Sequence, residues 1–124
     1  SWAVGIYGDW SETVDETLMW GSPSEWTLLS VDYIIWAPVF EELAFRGLLY
    51  ASLRRRLGPL QAALVSATVF SVVHFYSLPG FLATWWSGVV WAWAFERAHS
   101  LWPGIVAHGI YNALFTAGIV LVYR

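Results

Sequence analysis

Long apolar stretches separated by short polar turns fill most of the chain. They begin after Ser22-Pro23-Ser24-Glu25, where a serine, a proline and a glutamate stand in the order of a helix N-cap, its first residue and its third residue. Four apolar helices are predicted, over about residues 22–53, 59–76, 81–98 and 102–122. At 1.5 Å per residue, each is long enough to span the ~30 Å hydrocarbon core of a bilayer.

Pro38 interrupts the first predicted helix. Proline has no backbone N–H, and its ring crowds the carbonyl one turn earlier, so a kink is predicted near residues 33–36. In a membrane such a break is tolerated where a neighbouring helix or water satisfies the freed carbonyl. The predicted kink lies just before the charged residues of the same helix.

Composition supports an integral membrane protein. The chain is 58% hydrophobic and 12% charged, about half the charged fraction of a soluble domain. Its ten Trp and six Tyr are typical of residues that collect at membrane–water interfaces. We therefore predict an all-α, polytopic membrane helix bundle with about four transmembrane helices. Residues 1–21 are interpreted as an acidic and aromatic extramembrane or interfacial lead-in with a short helix near residues 11–19, and residues 22–124 as the core.

Charge and cysteine usage narrow the possible functions. The chain has no cysteine, which excludes disulfides, thiol nucleophiles and cysteine-ligated metals. It has no basic patch suited to nucleic acid. The turns that carry Arg54–Arg56 and Arg97 fall on one side of a four-span bundle. By the positive-inside rule, that side is predicted to be cytoplasmic.

Three ionisable residues lie inside the first apolar helix: Glu41, Glu42 and Arg46. At membrane depth each costs about 2.5–3.5 kcal/mol, so residues of this kind are usually functional. Glu42 and Arg46 are four residues apart and can form an ion pair on one helix face. Glu41 is turned about 100° away from that face. The structural interpretation is a buried ion network that fixes helix packing, and the functional interpretation is a catalytic or transport site.

Polar residues also recur at helical spacing on two other helices. Phe70 and His74 share one face of the second helix, and His108 and Asn112 share one face of the fourth. A lone histidine is more often a packing residue than a ligand, but a face that carries both His and Asn must look inward in a membrane. Rough depths along the helices place Glu41 in the same layer as these residues. The third helix is predicted to be scaffold.

Such a cluster could hydrolyse a peptide bond in two ways. A buried carboxylate is a usable general base for water, one imidazole can orient that water, and a second imidazole with an amide can stabilise an oxyanion. Alternatively, Glu41, His74 and His108 could bind Zn²⁺ and leave a fourth position open. The chain has no His-Glu-x-x-His motif, so the sequence does not indicate a thermolysin-like metal site.

Three motifs in order resemble those of a known family. Glu41-Glu42-x-x-x-Arg46, Phe70-x-x-x-His74 and His108-x-x-x-Asn112 are similar to the motifs of the CAAX-protease and bacteriocin-processing (CPBP, also called Abi) family of intramembrane proteases. Phe45-Arg46-Gly47-Leu48-Leu49 adds to the match. The resemblance covers about residues 33–120. It implies the catalytic core of a larger helical membrane fold, since family members usually have more membrane spans.

The resemblance also implies residue roles and an activity. Glu41 would activate water, His74 would assist it, His108 and Asn112 would line the oxyanion hole, Glu42 and Arg46 would hold the first helix, and Phe70 would wall the pocket. The implied enzyme is a glutamate-type endopeptidase acting on membrane-anchored or C-terminally processed proteins with CAAX-like or sorting signals. No cofactor is expected, although Zn²⁺ is possible. The expected partners are a protein or peptide substrate and the lipid bilayer, and the expected location is the bacterial inner membrane.

Two alternative functions use the same residues. One is a non-catalytic immunity or scaffold protein of the same fold. The other is a proton-coupled transporter, because intramembrane Glu and His also build proton relays. A transporter would more often show inverted repeats, and none is visible here. The sequence does not indicate the substrate or the oligomeric state.

Overall fold

The protein folds as a bundle of helices. A computed structural model describes residues 16–74 and 76–123, and all the regular secondary structure in these residues is helical. The helices are α1 (Glu16–Trp20), a long helical stretch α2 (residues 23–53), α3 (Pro59–Val72), α4 (Leu78–Ala98) and α5 (Trp102–Tyr123). The predicted all-α class is confirmed. Of the predicted lead-in helix near residues 11–19, residues 11–15 lie outside the described residues.

Two of the predicted helix boundaries are wrong. Helix α3 ends at Val72, where residues up to Tyr76 were predicted to be helical. His74 instead lies in a turn, with its backbone N–H bonded to the carbonyl of Ser71 at 3.3 Å. Helix α4 begins at Leu78 and takes Pro79 into its first turn, because proline's fixed φ suits that position and its missing N–H is not needed there.

Helix α2 begins as predicted but is not a regular α-helix. The backbone N–H of Ser22 donates to the Glu25 carboxylate at 2.9 Å, which forms the predicted capping box with the reciprocal contact. Further along, α-helical segments alternate with two π-helical segments, Asp32–Trp36 and Leu43–Tyr50. The π-helical segments flank the two adjacent glutamates.

The first π-helical segment lies where Pro38 was predicted to break the helix. Helix α5 packs directly against it. The Asn112 side-chain amide donates to the Tyr33 carbonyl at 2.8 Å. A Cβ atom on Gly109 would lie 2.8 Å from the Ile34 carbonyl oxygen, so only glycine permits this approach. A neighbouring helix thus satisfies and covers the irregular backbone, as a membrane environment requires.

Helices α3 and α4 pack closely along small residues. Ala62, Ala67 and Ala92 have no exposed surface. A Cβ atom on Gly88 would lie 3.0 Å from the Cβ of Ala67. Small residues at helix contacts allow the close backbone approach that favours helix association in a bilayer.

A cluster of hydrogen bonds closes one end of the bundle. The Tyr50 hydroxyl donates to Glu96 Oε2 at 2.7 Å. Arg54 donates from Nε to the same oxygen at 3.0 Å and from Nη2 to Oε1 at 2.8 Å. The C-terminal part of α2 is thereby fastened to the last turns of α4.

Charged side chains lie inside the bundle, and large apolar side chains lie on its outer surface. Glu42 and Arg46 are each 1% exposed, whereas Trp86 and Leu114 are 64% and 70% exposed. In the described part of the chain, one helix, Trp102–Val122, has by itself the length and apolar composition of a membrane span. Apolar side chains on the outer faces and charges in the interior are the arrangement of a helical membrane bundle.

Candidate active site

The four predicted catalytic residues meet in one cavity of about 390 Å³. Glu41 reaches it from α2, His74 from the turn after α3, and His108 and Asn112 from α5. Two helices and the turn after a third thus bring these side chains, which are distant in sequence, into one cavity.

Glu41 is the carboxylate that faces the cavity. Its Oε2 lies 3.8 Å from His74 Nε2 and 3.6 Å from His108 Nε2. Both separations exceed the usual length of a direct N–H···O hydrogen bond. The Glu41 side chain is 28% exposed, so it has access to the cavity while standing between two imidazoles.

The other nitrogen of each imidazole is already engaged. His74 Nδ1 lies 2.6 Å from the Phe70 carbonyl oxygen, which can only accept, so this nitrogen donates. His108 Nδ1 lies 3.0 Å from Glu42 Oε1 and donates to that carboxylate. Hydrogen bonds at Nδ1 therefore orient both rings with Nε2 toward Glu41.

Glu42 is the centre of a buried ion network. Its Oε1 lies 3.2 Å from Arg46 Nη1, which confirms the ion pair predicted from their spacing. Its Oε2 lies against the first turn of α5, since a Cβ atom on Gly104 would come within 2.9 Å of this oxygen. A helix N-terminus favours a carboxylate electrostatically. Glu42 thus joins α2 to α5 and holds His108.

Arg46 extends this network to α4. Its Nη2 donates to the Gly88 carbonyl at 3.1 Å, and its guanidinium stands 4.6 Å from the centre of the Phe70 ring. The Phe70 ring lies edge-on to His74, with 4.6 Å between the ring centres, and lines the cavity. Arg46 therefore contacts both α3 and α4, and the supporting and wall roles of Arg46 and Phe70 stay predictions.

Asn112 lines the cavity and also supports the irregular part of α2. One hydrogen of its side-chain amide is donated to the Tyr33 carbonyl. The amide nitrogen carries two hydrogens, so this bond uses only one of them. Its place in an oxyanion hole stays a prediction.

The candidate zinc ligands were Glu41, His74 and His108. Among the side chains that the structure describes, no group of three or more His, Asp or Glu residues is arranged to hold a metal ion.

Helix α4, predicted to be scaffold, contributes to the site. Trp91 lines the cavity and stacks on His108, with 5.8 Å between the ring centres and 18° between the planes. Tyr76, which precedes α4, also lines the cavity and lies beside His74, with 5.3 Å between the ring centres. Sequence reasoning missed both, because Trp and Tyr are common throughout this chain and nothing in their spacing separates these two from residues that face lipid.

The fold and the site define a class of protein: a helical membrane bundle with a carboxylate and two imidazoles around an internal cavity. The family model described as Rce1-like, type II CAAX prenyl endopeptidase, matches residues 23–114. The chain belongs to this family, which agrees with the resemblance to CPBP proteases. No match was found among curated proteins or solved structures.

Four properties of the chain follow from its membership of the family. The chain has a CAAX-type intramembrane protease fold, its family is membrane-embedded, protease activity is implied, and peptides at the membrane are the implied substrates. The matched residues include all three motifs and Trp91.

Proposed function

We propose that this protein is an intramembrane endopeptidase in which Glu41 activates a water molecule. The observation that carries the proposal is the placement of Glu41 Oε2 at 3.6 and 3.8 Å from the Nε2 atoms of His108 and His74. These gaps are too long for direct hydrogen bonds, but a water lying between the three groups would be within hydrogen-bonding reach of each.

The chemical step follows from this placement. Glu41 accepts a proton from the water, and the water oxygen attacks the carbonyl carbon of the scissile peptide bond. His74, held by the Phe70 carbonyl, accepts the second hydrogen bond of the water and orients it. When the C–N bond breaks, Glu41 returns the proton to the leaving amine. General-base catalysis of this kind contributes about 10²–10⁴-fold to a rate.

His108 is proposed to stabilise the oxyanion. With Nδ1–H donating to Glu42, His108 can donate from Nε2 only as an imidazolium. Asn112 would add its second amide hydrogen. One such donor is worth about 10²–10³-fold in kcat.

The proposed substrates are membrane-anchored or C-terminally processed proteins with CAAX-like or sorting signals. The family description, the internal cavity and the apolar outer surface support this class. We further propose that the protein works in a bacterial inner membrane with the Arg54–Arg56 turn in the cytoplasm.

The test compares the wild type with Glu41→Gln. Termini of membrane proteins are sequenced in cells expressing each form, and cleavage of a farnesylated CAAX peptide is measured with the purified proteins. We expect Glu41→Gln to lower kcat by about 10²–10⁴-fold. Glu25→Gln is the matched control, because Glu25 is an exposed residue of the capping box, and its activity should be that of the wild type. Undiminished cleavage by a folded Glu41→Gln protein would contradict the proposal, and identical termini would favour the non-catalytic scaffold.

Metal dependence is tested separately. In the glutamate mechanism proposed here, extensive dialysis against a chelator leaves cleavage unchanged. Zinc bound stoichiometrically to the purified protein, and lost together with activity, would instead assign Glu41, His74 and His108 as ligands.

A further inference from the structure

Trp91 is the largest side chain of the cavity that no sequence motif includes. It is 9% exposed and stands on α4, opposite the helix that carries His108. Its indole lies nearly parallel to the His108 imidazole, with 18° between the planes and 5.8 Å between the ring centres. Its other ring neighbour is Tyr111, edge-on at 6.4 Å.

Hydrogen bonding does not fix this indole. Trp91 Nε1 is buried and has no hydrogen-bond partner among the described residues. A buried donor without a partner is destabilising, and phenylalanine or leucine at this position would avoid that cost. Among the described residues, the aromatic contacts of this indole are with His108 and Tyr111.

His108 needs support of this kind. The hydrogen bond from Nδ1 to Glu42 sets which nitrogen faces Glu42, and packing against the ring sets its tilt. The indole covers one face of the ring, and the edge of Phe70 approaches at 6.2 Å with 88° between the planes. Together these contacts fix the direction in which Nε2 points toward Glu41.

We propose that Trp91 is a positioning residue that acts through His108: its aromatic face, rather than its N–H, holds the imidazole in the orientation that the oxyanion requires. The inference rests on the proposed function. It also ties α4 into the site at a second point, three residues beyond the Gly88 carbonyl that Arg46 holds.

The first experiment does not depend on turnover. The chain has three histidines, so ring-labelled histidine in the purified protein in nanodiscs gives few NMR signals, assigned with His74, His99 and His108 variants. We expect Trp91→Leu to change the ring 15N signals of His108, which report its hydrogen bonding and tautomer and are little affected by the indole ring current, more than those of His74 and His99. Trp86→Leu, an exposed indole on the same helix, is the control and should move none of them. An unmoved His108 signal in Trp91→Leu would overturn the proposal.

The second experiment measures kinetics with the farnesylated CAAX peptide. We expect Trp91→Leu to lower kcat by about 10- to 100-fold with KM changed less than about twofold, and Trp91→Phe, which keeps an aromatic face, to regain most of kcat. In a His108→Ala background, Trp91→Leu should have no further effect. Trp91→Met replaces Trp91→Leu if the leucine variant does not fold.

Two kinetic outcomes would overturn the proposal. Equal loss in Trp91→Phe and Trp91→Leu would assign the effect to the indole N–H. A full additional loss in the His108→Ala background would show that Trp91 acts elsewhere. If the wild type cleaves nothing, the proposed function fails, and the NMR comparison still decides whether Trp91 orients His108.

Discussion

Glu41 and Glu42 are identical and adjacent, yet they lie in different environments. The Glu41 side chain is 28% exposed and faces the cavity, while that of Glu42 is 1% exposed, forms an ion pair with Arg46 and accepts a hydrogen bond from His108. A turn of about 100° per residue accounts for the difference. A residue's position around the helix, and not its chemical type, decides whether its side chain faces the cavity or is buried in the ion network.

Replacing Arg46 tests the supporting network. In Arg46→Ala the Glu42 carboxylate loses its counter-ion while remaining buried, which costs about 3–5 kcal/mol. We expect a loss of stability of this size in reversible unfolding in detergent micelles. Arg55→Ala, at an exposed arginine, is the control and should change stability by less than about 0.5 kcal/mol. Equal effects in the two variants would contradict the network.

At the scale of single residues, much of the side-chain arrangement was predictable from the sequence. Helical spacing predicted the ion pair of Glu42 with Arg46 and the shared face of His108 and Asn112, because residues four apart are neighbours on any helix. Trp91 could not be predicted, since stacking on His108 depends on how α4 docks against α5. The same holds for the bond from Asn112 to the Tyr33 carbonyl.

At the scale of the element, the irregular course of α2 matters most. Sequence reasoning predicted a break before Pro38 but not its π-helical form or the second π-helical segment at Leu43–Tyr50. Such segments often occur at functional sites. Here α5 packs against the first π-helical segment through the Asn112 amide and Gly109. Contacts between distant parts of a chain leave no local pattern in the sequence, so this one could not be predicted.

A pair of glycines on α5 tests this packing. A Cβ at Gly109 would lie 2.8 Å from the Ile34 carbonyl oxygen, whereas a Cβ at Gly118 would have no neighbour within 4 Å. We expect Gly109→Ala to cost about 1–3 kcal/mol through overpacking. Gly118→Ala should be neutral or stabilising by up to about 1 kcal/mol, because alanine favours helices. Thermal unfolding in detergent compares them, and a Gly109→Ala protein as stable as Gly118→Ala would refute the close contact.

At the scale of the whole molecule, polar contacts fasten the bundle at two levels. Arg46 joins α2 to α4 near the cavity, and Arg54 joins the same two helices at the end of the bundle through Glu96. The helix count and order were predictable from apolar runs and turns. Which helices share a polar contact was not, because Glu96 could have faced solvent.

The salt bridge between Arg54 and Glu96, at the end of the bundle, predicts that these two residues are energetically coupled. Their side chains are 32% and 28% exposed, so a double-mutant cycle with alanine should give about 0.5–1 kcal/mol, and less at high salt. Chemical denaturation in micelles measures it. Arg56, an exposed arginine of the same turn, is the control partner for Glu96 and should show weaker coupling. Equal coupling for both arginines would contradict the specific contact.

The intrahelical ion pair has a consequence for how the protein enters its membrane. Glu42 and Arg46 neutralise each other within a single helix, so α2 carries its own counter-charge when it leaves the ribosome and meets the insertion machinery. Glu41 has no such companion on α2, because its histidines are on segments synthesised later. We therefore expect Glu42 and Arg46 to enter the membrane as a pair, and the surroundings of Glu41 to be completed only when α5 has been synthesised.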